Sequence, residues 1–533
     1  MGTDPGDAEL RNHFTIAIYP FLFDPAPDGL AARAPDLAAC WRPYWARLNE
    51  EEIERALDDT YFFLPYIRDI LFPETIPLRE QPPGGKYENW SQTIVVRTKN
   101  PGASLLKDLL AQHVVRLTCL GGPSFTLAEL DRAGIPNFRP AGFSVVDGPD
   151  DKERQGKSEP LAGRLDWIDA VLFPSGIGFL MLKARLAGKS PRLSQLIELN
   201  GCLQVVHPPT LSWSLPRLRF DGSGSGLTLA GLIEEILGAG ANGLVSAPQG
   251  LRYVDTEEGQ VYGERCQILS YACVDLAGTR KTALPAGSFD SAGDRLLFEY
   301  AYGIPLGDSV RDRTWAPSAE EASRLCRENR ISVWDCWRGM VLKESVVFLA
   351  TEPLGFTLGA LPHNIESDYL PLYLYTLYQR TQLFVFSNDL MRNSGDVEKN
   401  RQEMRELRDR FIRFRNQYWF NEVTLKPLGS ELYRKFQQSL GVPALYGLVS
   451  DEAKDIREYY EERHGERINL ILNGLAFVIL PLNALFALFG MSFVHGSWIW
   501  FVRAAVLALV AVVIFAWTVF KRGRHTVRRG RSA

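Results

Sequence analysis

Two apolar runs near the C-terminal end constrain this chain more than any other feature. Residues 468–489 form a 22-residue run with no charged side chain, and residues 498–520 form a 23-residue run whose single charge is Arg503. A bilayer crossing needs about 20 apolar residues, so each run predicts a membrane span. The flanks predict an orientation. Arg457, Arg463 and Arg467 precede the first run, six Lys/Arg fill 521–533 after the second, and the connection 491–497 has neither. The excess of positive charge on the cytosolic side then places both termini in the cytosol, as a multi-pass protein of the cytoplasmic (inner) membrane with the lipid bilayer as a partner. Trp498, Trp500 and Trp517 lie near the ends of the second run, as an aromatic belt requires, and Arg503 is close enough to its end to snorkel to the headgroups. Buried core helices are the competing reading of the same runs.

Composition enters because the average conceals this arrangement. The 533 residues carry 59 Lys+Arg against 63 Asp+Glu and are 46% hydrophobic, which excludes collagen-like, disulfide-scaffold and wholly disordered classes. Setting aside the basic tail leaves 53 basic against 63 acidic residues, so 1–520 is acidic and a direct nucleic-acid binder is not expected. Residues 1–7 lack the basic and apolar regions of a signal peptide. The seven cysteines are scattered without a C-x-x-C pair, which fits a reducing compartment and gives no structural zinc signature. No phosphate-binding loop, nucleophile elbow or H-E-x-x-H helix is present, so no enzyme is expected and no fixed protein–metal site is identified.

Along the chain, strand character marks 13–23, 268–274 and 296–302, a hairpin is predicted over 168–186, and paired strands over 332–350. Helices are predicted over 51–72, 227–237, 369–391, 397–420 and 432–440, with a helix then a strand in 99–120 and an exposed loop over 146–159. From Ser450, read as an N-cap, one helix is predicted to run into the first apolar stretch. The expected fold class is therefore an α+β cytosolic domain followed by long stalk helices and a two-helix C-terminal transmembrane hairpin. Its expected divisions are a regulatory domain at 1–360, a helical stalk or funnel at 361–467, the hairpin at 468–520 and the basic cytosolic tail at 521–533.

Projected at about 100° per residue, Asp451, Asp455, Glu458, Glu462, Glu466, Asn469, Asn473 and Asn483 share an arc of about 100° on that helix. Amides facing lipid are costly unless partnered. The stripe is either a polar seam between helices or, in a rotationally symmetric homo-oligomer, the lining of a cation path with its carboxylates at the mouth.

Pro481-Leu482-Asn483 followed by Gly490-Met491-Ser492-Phe493 resembles the CorA family of divalent-cation channels, in which a proline precedes a Gly-Met-Asn signature by nine residues. The resemblance covers about 365–525. It implies a homopentamer that passes Mg²⁺ or a similar divalent cation and is gated by its cytosolic domain. Asn469, Asn473, Leu480, Asn483, Gly490, Met491 and Ser492 would line the path. Ser492 stands where the signature has asparagine. The enlarged N-terminal region is similar to that of CorA-like proteins associated with type III CRISPR systems. This second likeness implies a membrane effector of antiviral defence opened by a nucleotide second messenger. A membrane-anchored binding protein without transport is the third reading. For a ligand, Gly222, Gly224 and Gly226 precede a predicted helix and offer backbone N–H groups to phosphate, or else form a flexible loop. Arg164, Lys183 and Arg185 could line a cleft or stand as solvated strand-edge charges.

Overall fold

The computed structural model describes residues 8–23, 40–73, 114–132, 136–146, 161–207, 215–238, 249–250, 265–275, 292–303, 319–393 and 401–492. It divides into two compact units, Met1–Tyr446 and Gly447–Ala533.

The first unit is built on one large sheet. Strand β1 (Leu10–Leu22) is an apolar run buried along nearly its whole length, as a strand with helices on both faces must be. Strand β2 (Trp41–Pro43) leads through a 3₁₀ turn, Tyr44–Arg47, into α1 (Glu50–Asp59) and α2 (Pro65–Leu71). The single helix expected over 51–72 is thus two. Asn49 caps α1 in a reciprocal box with Glu52, and Pro65 opens α2 where its missing N–H has no consequence. Strand β3 (Val115–Cys119) is followed by two small hairpins, β4 (Gly121–Gly122) with β5 (Phe125–Thr126) and β6 (Ala128–Leu130) with β7 (Pro136–Phe138). Next come β8 (Ala141–Val146), β9 (Ala162–Phe173) and β10 (Ile177–Leu186). The last two form the expected hairpin, turning at Gly176 with φ +87°. Helix α3 (Leu193–Gln204), β11 (Arg217–Phe220), α4 (Leu229–Gly238), β12 (Gln249–Gly250) and β13 (Gln267–Val274) complete the first half.

Residues 296–302, expected as a strand, belong to α5 (Ala292–Tyr302). Their aromatic content suggests a strand, but Leu296, Leu297, Tyr300 and Ala301 recur at helical spacing and enter the core together. Helix α6 (Ala319–Asn329) precedes β14 (Arg330–Ile331), β15 (Trp337–Val341) and β16 (Ser345–Ala350). The sheet order is β11-β8-β9-β10-β1-β13-β16-β15-β14, with β12 on β1, β3 on β9 and β2 on β3. All its pairings are antiparallel except β13 with β16. Helices α3, α4 and α5 share one core with the β1 face that carries Ala17, Tyr19 and Phe21.

After β16 come α7 (Leu361–Asn364), α8 (Leu370–Asn393), α9 (Arg401–Tyr418) and α10 (Pro427–Ser439), of which α8 packs on β10 and α10 on β15 from the opposite face. Phe173 of β9 stacks on Tyr378 of α8 at 3.9 Å, and Phe348 of β16 meets Tyr369 at 5.8 Å. Two π-helical turns, Phe356–Ala360 and Ile365–Tyr369, bracket α7. Leu361 N–H bonds to Phe356 O and Leu370 N–H to Ile365 O, each reaching back five residues. Each turn ends two residues before a proline, Pro362 or Pro371. A proline ring clashes with the carbonyl four residues earlier in an α-helix, and widening the preceding turn removes that clash without ending the helix.

Helix α11 (Val442–Ser492) is 51 residues long. It starts after Gly441, whose φ is +68°, so Ser450 lies inside the helix rather than at its N-cap. Among the described residues no helix is long and apolar enough to cross a membrane. This overturns the expected two-span transmembrane hairpin, and with it the multi-pass placement in the cytoplasmic membrane with cytosolic termini and the description as a transmembrane channel. The physical reason lies in the amides that interrupt an otherwise apolar stretch. Residues 468–489 continue a charged helix, and Asn469, Asn473 and Asn483 carry amides that are costly to desolvate. The second expected span, 498–520, the tail 521–533, and the expected features at 99–113 and 147–159 lie outside the described residues.

Candidate functional site

The densest chemistry in the first unit lies where β3, β9 and β10 meet the second π-helical turn. Strand pairing creates it. Trp167 and Asp169 alternate on β9, Lys183 of β10 pairs with Trp167, and Arg116 of β3 pairs with Val171. Residues two apart on a strand share a face, so this register gathers Trp167, Asp169, Arg116 and Lys183 on the side covered by the π-helical segment. The 3₁₀ turn after β2 adds Tyr44 and Arg47.

Asp169 has no exposed side-chain surface. Its Oδ2 accepts from Arg116 Nε at 3.0 Å and Nη2 at 2.7 Å, and lies 3.2 Å from Arg47 Nη2. Arg47 sits 4.4 Å above the Trp167 ring, and Arg116 sits 4.0 Å above Tyr44. Such contacts contribute about 0.5–2 kcal/mol each. Lys183, 6% exposed at its side chain, donates to Glu366 Oε1 at 2.5 Å. Beyond it, Arg185 Nε bonds to Asp166 Oδ2 at 2.6 Å, and Arg164 pairs with Asp166 at 3.2 Å.

The electrostatics follow from burial opposed by pairing. Burial pushes the Glu366 carboxyl up, but Lys183, Arg47 and Arg185 outweigh it and hold the group below the usual carboxylate range. Burial lowers Lys183 below an ordinary lysine despite Glu366. Burial also acts to lower Arg116, but Asp169 reverses this and its pKa is raised. His13, on the neighbouring β1, is lowered to about 4 by burial and by Arg185. Its Nε2 accepts the Leu186 N–H at 3.0 Å, which requires an unprotonated nitrogen. Two buried atoms of the cluster, Arg47 Nη1 and Asp169 Oδ1, have no hydrogen-bond partner among the described residues. An unsatisfied donor and an unsatisfied acceptor in one cluster are what a small polar ligand would complete.

Of the basic residues singled out in the sequence, the structure brings Lys183, Arg185 and Arg164 into or beside this cluster. Arg47, Arg116, Trp167, Asp169 and Glu366 were missed. The signal for the strand residues was present: Arg116, Trp167 and Asp169 are polar or amphipathic positions within otherwise apolar strands.

The glycine segment has a structural role. Gly222, with φ +86°, turns the chain after β11, and Ser223 Oγ bonds to Ser225 O. Leu227 then pairs with Leu218. A Cβ on Gly226 would meet Arg217 Cβ at 3.0 Å, and Gly224 has open space around it. The N–H of Gly231 at the start of α4 is taken by Thr228 Oγ1 at 3.2 Å, which leaves fewer free donors for a phosphate.

On α11, Asp451, Asp455 and Glu458 are exposed, with Glu458 3.8 Å from Lys454. Asn469, Asn473, Leu480 and Asn483 are also exposed. Glu462, Glu466, Gly490, Met491 and Ser492 contribute helical backbone, but their side chains lie outside the described set. The helix is unbroken from Val442 to Ser492, so the polar positions keep one helical register. Among the described residues no group of three or more His, Cys, Asp or Glu is placed to hold a metal ion. Comparison with protein-family models gives no match, and comparison with curated proteins gives none either.

Proposed function

We propose that this protein is a ligand-regulated homo-oligomer that acts by binding rather than by catalysis. In this reading copies of α11 associate, and the sheet-based unit sets whether they do so. The observation that carries it is the surface of α11. Leu470, Ile471, Leu472, Leu475 and Leu480 are 54–67% exposed, and an apolar stretch of that length is stable in use only when covered. Further copies of the same helix supply the cover, and they also give the asparagines partners across the contact. The resemblance to the CorA family supports five copies. It also supports Mg²⁺ or a similar divalent cation as the ion held by Asp451, Asp455 and Glu458 once several copies bring their carboxylates together.

A second reading is favoured by the Arg47–Arg116–Lys183 cluster with its aromatic neighbours: the regulating ligand is a nucleotide second messenger. Cations for phosphate and rings for stacking are the chemistry such a ligand needs.

Native mass spectrometry of the full chain, with and without Mg²⁺, tests the assembly. The expected mass is five copies, and replacing Leu472 and Leu475 together with Glu is expected to reduce it to one. A wild-type chain that stays monomeric at every concentration overturns the reading.

A further inference from the structure

Glu366 is the carboxylate that completes the charge balance of the cluster, yet it comes from none of the strands that build it. It sits in the second π-helical turn, Ile365–Tyr369, and reaches Lys183 from across the interface between sheet and helices. Without it, Asp169 would be shared by Arg47 and Arg116, and Asp166 is already paired with Arg185 and Arg164, so positive charge would be left uncompensated in a largely buried setting. Such an excess must recruit an anion or shed a proton. Glu366 is also the accessible member of the pair: its side chain is 27% exposed against 6% for Lys183. The element that holds it is a π-helical turn, a rare form of helix that is frequent at functional sites.

We infer that Glu366 occupies the position of an external oxyanion: the Lys183–Arg47–Arg116 cluster is a binding site for a phosphate- or carboxylate-bearing small molecule, which displaces Glu366 and releases the π-helical turn that leads into α8. The unsatisfied Arg47 Nη1 offers the entering oxyanion a donor that Glu366 leaves unused. Asp169 Oδ1, also unsatisfied, favours a ligand that carries a hydroxyl or N–H beside its anionic group. The inference rests on the reading of this cluster as the ligand site and is independent of how α11 associates.

The test is calorimetric titration of the full chain with pyrophosphate and, separately, with succinate. Glu366→Gln removes the resident charge while keeping the shape of the side chain. It is expected to bind at least one of the two probes ten-fold or more tighter than wild type. Adding Lys183→Met to that variant is expected to abolish the gain. Pyrophosphate alone marks the site as phosphoryl-binding, and succinate alone marks it as carboxylate-binding. Hydrogen exchange on the wild-type chain provides the second measurement. A saturating concentration of the bound probe is expected to speed exchange of the amides of 365–370. Equal affinity in wild type and Glu366→Gln, no binding to either, or unchanged exchange at 365–370 with probe bound overturns the inference. A monomeric chain that still shows the Glu366→Gln gain would remove the proposed assembly and leave this site standing.

Discussion

His13 shows how one side chain ties the fold to pH. Its pKa in the folded chain is about 4 against 6.5 for a free histidine, because burial and Arg185 both oppose its charge. As pH falls, the unfolded chain takes up this proton first. The contribution of neutral His13 is therefore fully present above about pH 6.5 and is lost between about 6.5 and 4, to the extent of roughly 3 kcal/mol. Replacing His13 with Asn, which keeps an acceptor but cannot titrate, is expected to flatten the acid limb of a plot of urea midpoint against pH; an unaltered limb would exclude His13 as its cause. Asp368 works in the opposite sense: burial and then Asp59 raise it to about 7, so its contribution declines as pH rises through the window from about 4 to 7. At this scale the sequence singled out Arg164, Lys183 and Arg185 as basic residues for a ligand cleft or for a solvated strand edge. It could not reveal that the partner of Lys183 is Glu366, 183 residues further on, because the pairing is made by packing between layers.

Among the elements, the β9–β10 hairpin and β1 form the centre of the sheet, and their register depends on close approach at one glycine. Gly178 of β10 pairs with Phe21 of β1, and a Cβ there would come within 2.3 Å of Phe21 Cζ. Gly178→Ala is expected to lower stability by about 1–3 kcal/mol through overpacking. Thermal or urea unfolding measures this, and a neutral result would mean that Phe21 repacks freely. Strand and helix positions were largely legible, since apolar periodicity is local information: β1, β9, β10, β13 and α8 fall where their patterns place them. Residues 296–302 were not legible, because aromatic content suits strand or helix and the surrounding core chose helix. The two π-helical turns left a trace in the nine-residue spacing of Pro362 and Pro371, but the trace is readable only once the flanking residues are seen to stay helical.

At the scale of the whole molecule, the first compact unit ends at Tyr446, where Trp419 and Tyr446 stack at 3.9 Å. A chain stopped after Gly447 is expected to keep the circular dichroism and cooperative unfolding of the sheet-based unit and to be monomeric where the full chain associates. Loss of cooperative unfolding on truncation would show that the long helix is needed for the fold itself. The sequence by itself determined the apolar stretch at 468–489, the polar stripe along α11 and its continuity as one helix, because these depend on neighbours a few residues apart along a single element. It misjudged what the stretch amounts to, since counting charges overlooks the cost of amides. Only the tertiary structure decided the charged cluster: its cations, rings and carboxylates come from 44–47, 116, 167–169, 183 and 366. Sheet register and layer packing bring them within hydrogen-bonding reach, and no local pattern records that distance.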